Sequence, residues 1–166
     1  MNKSWIANGF TAANALFGGL SIMMSISGEY HVAAICILFA MAADAFDGRV
    51  ARALGTAGPM GVELDSLSDD ISFGVAAGAL MYSYQLRELG ALGFIPCALL
   101  GAFCAFRLAR FNVKVTSVHG YFEGLPCPTV GVIIACYVLS GVKIWNWLAM
   151  VCVLVLAVLM VSEVHY

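Results

Sequence analysis

Apolar residues in this chain come in long runs, with no sustained alternation of the kind a sheet would need. Six stretches carry no Asp, Glu, Lys or Arg: residues 4–28, 30–43, 71–86, 89–106, 124–142 and 144–162. A helix crossing a bilayer needs about 20 largely apolar residues, and it satisfies its own backbone hydrogen bonds where there is no water to do so. Four of the runs are about long enough by themselves. The second must absorb Asp44 and Asp47 at its C-terminal end, and the third must start near Gly61 and carry Asp65 and Asp69. The pattern predicts an all-α, six-transmembrane-helix bundle, with helices over about 9–27, 31–49, 61–84, 90–113, 124–141 and 144–162. An even number of crossings puts both termini on one side.

Composition removes the alternatives. Hydrophobic residues make up 62% of the chain and charged residues only 11%, against roughly 25% charged in soluble domains. Such a chain is neither an ordinary soluble domain nor a disordered one, since disorder requires few apolar residues. Eight Lys and Arg against ten Asp and Glu give a net charge of −2, so there is no basic footprint for nucleic acid. The six cysteines (36, 97, 104, 127, 136 and 152) form no CxxC pair and stand in or beside apolar segments. They read as small core residues, not as disulfides or zinc ligands.

The cations orient the bundle. Lys3, Arg49, Arg52, Arg107, Arg110 and Lys114 fall on the side of the termini, and only Arg87 and Lys143 on the other. The positive-inside rule then places the termini in the cytoplasm. A single Lys precedes a Gly- and Asn-interrupted first segment with no clear cleavage site, so residues 1–28 read as a first helix, not a signal peptide. There is no linker or repeat, and residues 1–166 read as a single membrane-embedded domain. The longer polar connections, 50–60 and 112–123, lie on the cytoplasmic side, while the outer turns are short. An elaborate site therefore belongs at the cytoplasmic ends of helices 2 and 3.

The acids carry the chemistry. Asp44, Asp47, Glu63, Asp65, Asp69 and Asp70 are six of the ten acids in the chain, packed into residues 44–70. A charge at bilayer depth costs at least about 2.5–3.5 kcal/mol, so several together demand compensation. Asp44 and Asp47 are spaced i, i+3 and Asp65 and Asp69 i, i+4, which puts each pair on one helix face. With both pairs at the cytoplasmic ends of consecutive helices, the four carboxylates can converge on one pocket, where they repel unless cations neutralise them. All-oxygen ligands favour Mg²⁺, Mn²⁺ or Ca²⁺, and two such ions bridged by carboxylates suit phosphoryl transfer. Two acids at helix ends can instead be merely solvated at the interface; four in matched pairs fit that reading poorly. Glu63 either supports the pocket or caps helix 3, and Asp70, about 100° around the helix from Asp69, faces the interface or a polar neighbour. Arg107, Arg110 and Lys114 form a basic face at the end of helix 4. Lys114 reads as a snorkelling anchor, whereas Arg107 lies deep enough to face the acids and hold a carboxylate or phosphate.

The stretch from Asp44 to Asp69 fits D-x2-D-G-x2-A-R-x8-G-x3-D-x3-D at Asp44, Asp47, Gly48, Ala51, Arg52, Gly61, Asp65 and Asp69. It resembles the signature of the CDP-alcohol phosphotransferases, membrane enzymes with a six-helix core. The resemblance implies that Asp44, Asp47, Asp65 and Asp69 surround two divalent ions, Mg²⁺ or Mn²⁺, and that Asp69 is the base for the acceptor alcohol. It further implies that Gly48, Ala51, Arg52 and Gly61 contact the CDP moiety, joined by Thr11 and Asn14 of a T-x2-N element. The segments 63–74 (ELDSLSDDISFG), 107–112 (RLARFN) and 122–131 (FEGLPCPTVG) resemble elements of the phosphatidylserine synthases of this superfamily. That second resemblance implies CDP-diacylglycerol and L-serine as substrates, with phosphatidylserine and CMP as products. It puts Arg107, Arg110 and Asn112 near the serine or the lipid phosphates, with the GLPCP turn shaping the pocket wall. A homodimer follows from the same likeness, while the size and orientation of the chain suggest a bacterial or archaeal inner membrane.

Other readings remain open. Within the superfamily the acceptor could be glycerol 3-phosphate or an inositol phosphate. A divalent-cation transporter also carries membrane carboxylates, but Arg52 and Arg107 beside the ions would oppose their entry. An intramembrane prenyltransferase needs two separate Asp-rich motifs, and here one motif spans one hairpin.

Overall fold

The computed structural model describes residues 4–54, 58–115 and 124–162; within those ranges the side chains of residues 4, 6, 7, 51–54, 114 and 115 are outside the description. The described residues are all-helical. In chain order they form α1 (Ser4–Ile26), α2 (Tyr30–Leu54), α3 (Pro59–Asp69), a π-helical turn (Asp70–Val75), α4 (Ala76–Tyr84), a short 3₁₀ turn (Leu86–Leu89), α5 (Ala91–Val115), α6 (Cys127–Leu139) and α7 (Asn146–Val161). Because α3, the π turn and α4 run on without a break, there are six helical rods among the described residues.

Three stretches, Asn8–Ile26, Tyr30–Val50 and Ala91–Val113, are long and apolar enough to cross a membrane. Pro59–Tyr84 has the length but carries four acids. The last two helices are shorter than the 124–141 and 144–162 expected from hydropathy, at 13 and 16 residues. The shortening of α6 has a visible cause. Gly124 adopts φ +73°, Pro126 and Pro128 delay the first turn until Cys127, and Gly141 at φ +68° ends the run after Ser140.

The rod from Pro59 to Tyr84 is the hub, touching α1, α2, α5 and α6, while α1 lies along α2 and α5 along α7. Small residues make this possible. The inner stripe of α1 is Thr11, Asn14, Gly18, Ser21 and Ser25, all buried, as expected where helix backbones approach without a hydrophobic driving force. A Cβ on Gly18 would sit 2.9 Å from the Ser72 Cα, and one on Gly131 would sit 2.7 Å from the ring of Phe73. Glycine at those two positions lets α1 and α6 close on the π turn. Bulk faces outward instead: Leu16, Met23, Phe39, Phe46, Phe94, Phe106, Trp147, Val151 and Val155 are all exposed. Small and polar contacts along α1 under a large apolar exterior are the arrangement that lipid, not water, rewards. This surface and the apolar helices place the protein in association with a membrane.

Candidate active site at one end of the helix bundle

The functional residues gather where the N-terminal half of α1, the C-terminal ends of α2 and α5, the start of α6 and all of α3 come together. The i, i+3 and i, i+4 spacings act as expected, turning both acid pairs into the space between α2 and α3. Carboxylate oxygens of Asp44, Asp47 and Asp65 lie within 4.8 Å of one another. Asp44 comes against Asp69, and Asp47 against Asp65 and the side chain of Thr11. Thr11, Asp47 and Asp69 are buried, whereas Asp44 and Asp65 are half-buried.

The π turn begins directly after Asp69, and this local geometry was not readable beforehand. The extra residue in the turn resets the helix face, so that Ser72 meets α1 while Phe73 packs under α6 at Gly131. Asp69 is consequently clamped. The Asn14 amide donates through Nδ2 to Asp69 Oδ1 at 3.0 Å, and Ser72 Oγ donates to the Asn14 carbonyl oxygen at 2.9 Å. Sequence reading puts Asn14 beside the nucleotide; the structure ties its amide to the carboxylate of Asp69.

The three segments singled out in the second half of the chain meet here too. Asn112 donates through Nδ2 to Ser66 Oγ on α3 at 3.0 Å, joining RLARFN to ELDSLSDDISFG. Arg107, half-buried, donates through Nη1 to Cys127 Sγ at 3.5 Å, joining it to the GLPCP turn. That turn is fixed from behind, since Leu125 N donates to Leu159 O of α7 at 3.2 Å and a Cβ on Gly124 would lie 2.7 Å from Met160 O. Cys127 neighbours Asp69 and Cys104, and Asp70 turns away from the acid cluster toward Cys104. Cys97, Cys104 and Cys127 are buried as expected, but Cys136 and Cys152 are exposed, so those two are not core residues. No signal in the sequence pointed to Cys127 as the partner of Arg107.

The remaining expected residues sit around this core. Gly48 follows Asp47 on α2 and is half-buried, and Gly61 on α3 borders open space, with only Asn8 Oδ1 within 3.9 Å of a notional Cβ. Helix α2 continues through Ala51 and Arg52, but their side chains lie outside the described residues. Arg110 is half-buried one turn beyond Arg107, and Glu63 is exposed on the first turns of α3.

A hard divalent cation fits these residues on two observations. Three carboxylates offer oxygens within 4.8 Å of one another, close enough to share one ion, and Asp47 Oδ2 and Asp65 Oδ1 are buried with no hydrogen-bond partner among the described residues. Buried carboxylate oxygens are stable only when paired or coordinated.

Residues 4–160 match the CDP-alcohol phosphatidyltransferase family. The chain belongs to that family. It is 36% identical over 166 residues to the CDP-diacylglycerol–serine O-phosphatidyltransferase of Helicobacter pylori, covering 96% of this chain and 70% of that protein. It is 38% identical over 155 residues to the archaetidylserine synthase of Methanothermobacter thermautotrophicus, covering 92% of this chain and 65% of that one. A third relative, the CDP-diacylglycerol–serine O-phosphatidyltransferase of Methanocaldococcus jannaschii, is 34% identical over 163 residues, covering 97% of this chain and 73% of the relative. As a member of this family the chain is a phosphatidyltransferase; the family generally uses a divalent metal, and the Asp44, Asp47 and Asp65 cluster is compatible with holding one.

Proposed function

We propose that this phosphatidyltransferase moves the phosphatidyl group of CDP-diacylglycerol to the hydroxyl of L-serine, giving phosphatidylserine and CMP. The observation that carries the reading is the meeting, at one end of the bundle, of a metal-binding type of acid cluster with Asp69 and Arg107. Its relatives with serine in their printed names, spread over bacteria and archaea, support the choice of acceptor.

Asp44, Asp47 and Asp65, with Asp69 beside them, would hold Mg²⁺ or Mn²⁺, two ions in the full site. Such ions supply charge neutralisation for the phosphates and for the departing CMP. Asp69 accepts the proton of the serine hydroxyl as its oxygen attacks the phosphorus bearing the diacylglycerol, and the bond from that phosphorus to the CMP oxygen breaks. The clamp of Asn14 and Ser72 holds Asp69 in one orientation through that step. Thr11, Gly48, Ala51, Arg52 and Gly61 are assigned to the CDP moiety, where a guanidinium stabilises developing phosphate charge. Arg107 takes the serine carboxylate, with Arg110 and Asn112 toward the lipid phosphates. All six rods would cross the inner membrane of the cell, with the site facing the cytoplasm beside the cation-rich ends, and two copies would form a homodimer.

The rival acceptors are glycerol 3-phosphate and an inositol phosphate, which the basic face of Arg107 and Arg110 could also hold. The test is CMP release by the purified protein from CDP-diacylglycerol with Mn²⁺ or Mg²⁺, run with serine, with each phosphate acceptor and with none. Serine-dependent release supports the reading. Release with a phosphate acceptor alone keeps the family reaction and discards serine.

A further inference from the structure

The Asn14 side chain has two ends, and only one of them is used. It is fully buried. Its Nδ2 donates to Asp69, yet its Oδ1 has no hydrogen-bond partner among the described residues and almost no exposure to solvent. The orientation of the amide follows from chemistry. A carboxylate oxygen only accepts, so the NH₂ must face Asp69 and the carbonyl must face the other way. Nearby donors are committed elsewhere. Ser72 Oγ donates to the Asn14 main-chain oxygen, Ser68 Oγ donates to Leu64 O at 2.8 Å, and the Thr11 side chain meets Asp47. Nor can α1 slide to relieve the orphan, because Gly18 already lies against Ser72. Leaving a buried carbonyl unsatisfied costs about 1–3 kcal/mol, which a ligand donor would recover.

A second orphan, of opposite kind, lies near the same base. Arg107 Nε is buried with no partner, and the Nη1 of the same guanidinium holds Cys127, a neighbour of Asp69. An unfilled acceptor from α1, a base, and an unfilled cationic donor from α5 match three groups of one molecule: an ammonium, a hydroxyl and a carboxylate. We propose that the Asn14 side-chain carbonyl receives the ammonium group of a hydroxy-amino-acid acceptor, so that one amide both holds the base and selects the substrate. The inference rests on the serine reading above and goes beyond it by giving Asn14 a specificity role. A phosphate-bearing polyol can offer Asn14 only a neutral hydroxyl, whose bond is about half as strong as that of an ammonium, and it is disfavoured to that extent. Three separate points of attachment also make the site chiral.

The experiment compares acceptors within each protein, so that changes in overall activity cancel. CMP release is measured for L-serine, D-serine and 3-hydroxypropanoate, which is serine without its ammonium. The wild type should favour L-serine over 3-hydroxypropanoate by at least about tenfold in kcat/KM, the scale of one charge-assisted hydrogen bond. Equal use of the two in the wild type overturns the proposal without any variant being needed. Asn14→Asp keeps an acceptor oxygen but loses the donor to Asp69, so kcat falls while the preference for the ammonium persists. Asn14→Leu loses both ends, so the preference and the L-over-D selectivity shrink toward unity. A Leu variant that loses activity equally on all three acceptors shows Asn14 to be a positioning residue only, and the specificity role fails. Serine-independent behaviour of the wild type, with release on glycerol 3-phosphate, instead overturns the underlying serine reading.

Discussion

The central rod from Pro59 to Tyr84 ends in two polar clusters, and they are built on opposite principles. At the end away from the acids, Gln85 is 2% exposed and fully used: its Nε2 donates to Ile144 O at 2.6 Å and to Asn146 Oδ1 at 3.1 Å, and its Oε1 accepts from the Tyr137 hydroxyl. The network closes on itself, with Ile144 N donating to the Tyr137 oxygen at 3.1 Å and Asn146 Nδ2 to Glu88 Oε2 at 2.6 Å. At the acid end, by contrast, Asn14 Oδ1, Asp47 Oδ2, Asp65 Oδ1 and Arg107 Nε are buried and have no partner among the described residues. A closed polar network specifies a fold, while one with open valences is completed by something else. The contrast is between these two clusters; Ser21 Oγ and Ser25 Oγ, in the C-terminal half of α1, are also buried without a partner among the described residues.

Substitutions can break that contrast in order of size. The largest effect belongs to Asp69→Asn, which removes the base and should lower serine-dependent CMP release by about 10²–10⁴-fold, with unchanged elution of the purified protein. Retained activity would remove Asp69 from the chemistry. Arg107→Ala should raise the apparent serine KM by roughly tenfold or more, since a charge-assisted bond to a carboxylate is worth about 1.5–3 kcal/mol; an unchanged KM dismisses its carboxylate role. At the closed end, Gln85→Ala strands the Tyr137 hydroxyl and the Ile144 carbonyl. It should cost about 1–3 kcal/mol of stability, seen as a lower melting temperature, while kcat and KM at the permissive temperature stay as they were. Smallest is Asn112→Ala, which gives up one bond to Ser66 worth about 0.5–1.5 kcal/mol and should trim stability and activity slightly. A weaker apparent affinity for CDP-diacylglycerol there supports the lipid-phosphate role of Asn112, and unchanged substrate KM values leave it only the bond to Ser66.

Much of this was legible from the chain, for definable reasons. Uninterrupted apolar runs leave little freedom, so all six rods begin within about five residues of the places the hydropathy pattern suggests. The acids announced themselves because charge in an apolar chain is costly; helical spacing put each pair on one face, and the packing of consecutive helices α2 and α3 brought Asp44, Asp47 and Asp65 into one cluster. Contacts set by tertiary register were not legible. Nothing in DISFGV (residues 70–75) marks a π turn, because the extra residue is stabilised by packing of Ser72 and Phe73 against other helices and not by local propensity. The same holds for the Arg107–Cys127 contact and for the link from Asn14 to Asp69, which depend on how α5, α6 and α1 dock. Helix α6 starts late because its prolines outweigh an otherwise continuous hydrophobic signal.

The claim that open valences at the acid end await an ion is tested most directly by thermal melts of the purified protein with and without Mn²⁺ or Mg²⁺, wild type beside Asp47→Asn. Without the ion, the variant should melt above the wild type, since it carries one fewer crowded carboxylate. At an ion concentration about 100 times the dissociation constant, the wild type should gain about 2.7 kcal/mol, a rise of about 5–11 °C at the 2–4 °C per kcal/mol of a chain of this size, and the variant much less. A wild type whose melting temperature ignores both ions, or a variant that responds as strongly as the wild type, would contradict the account.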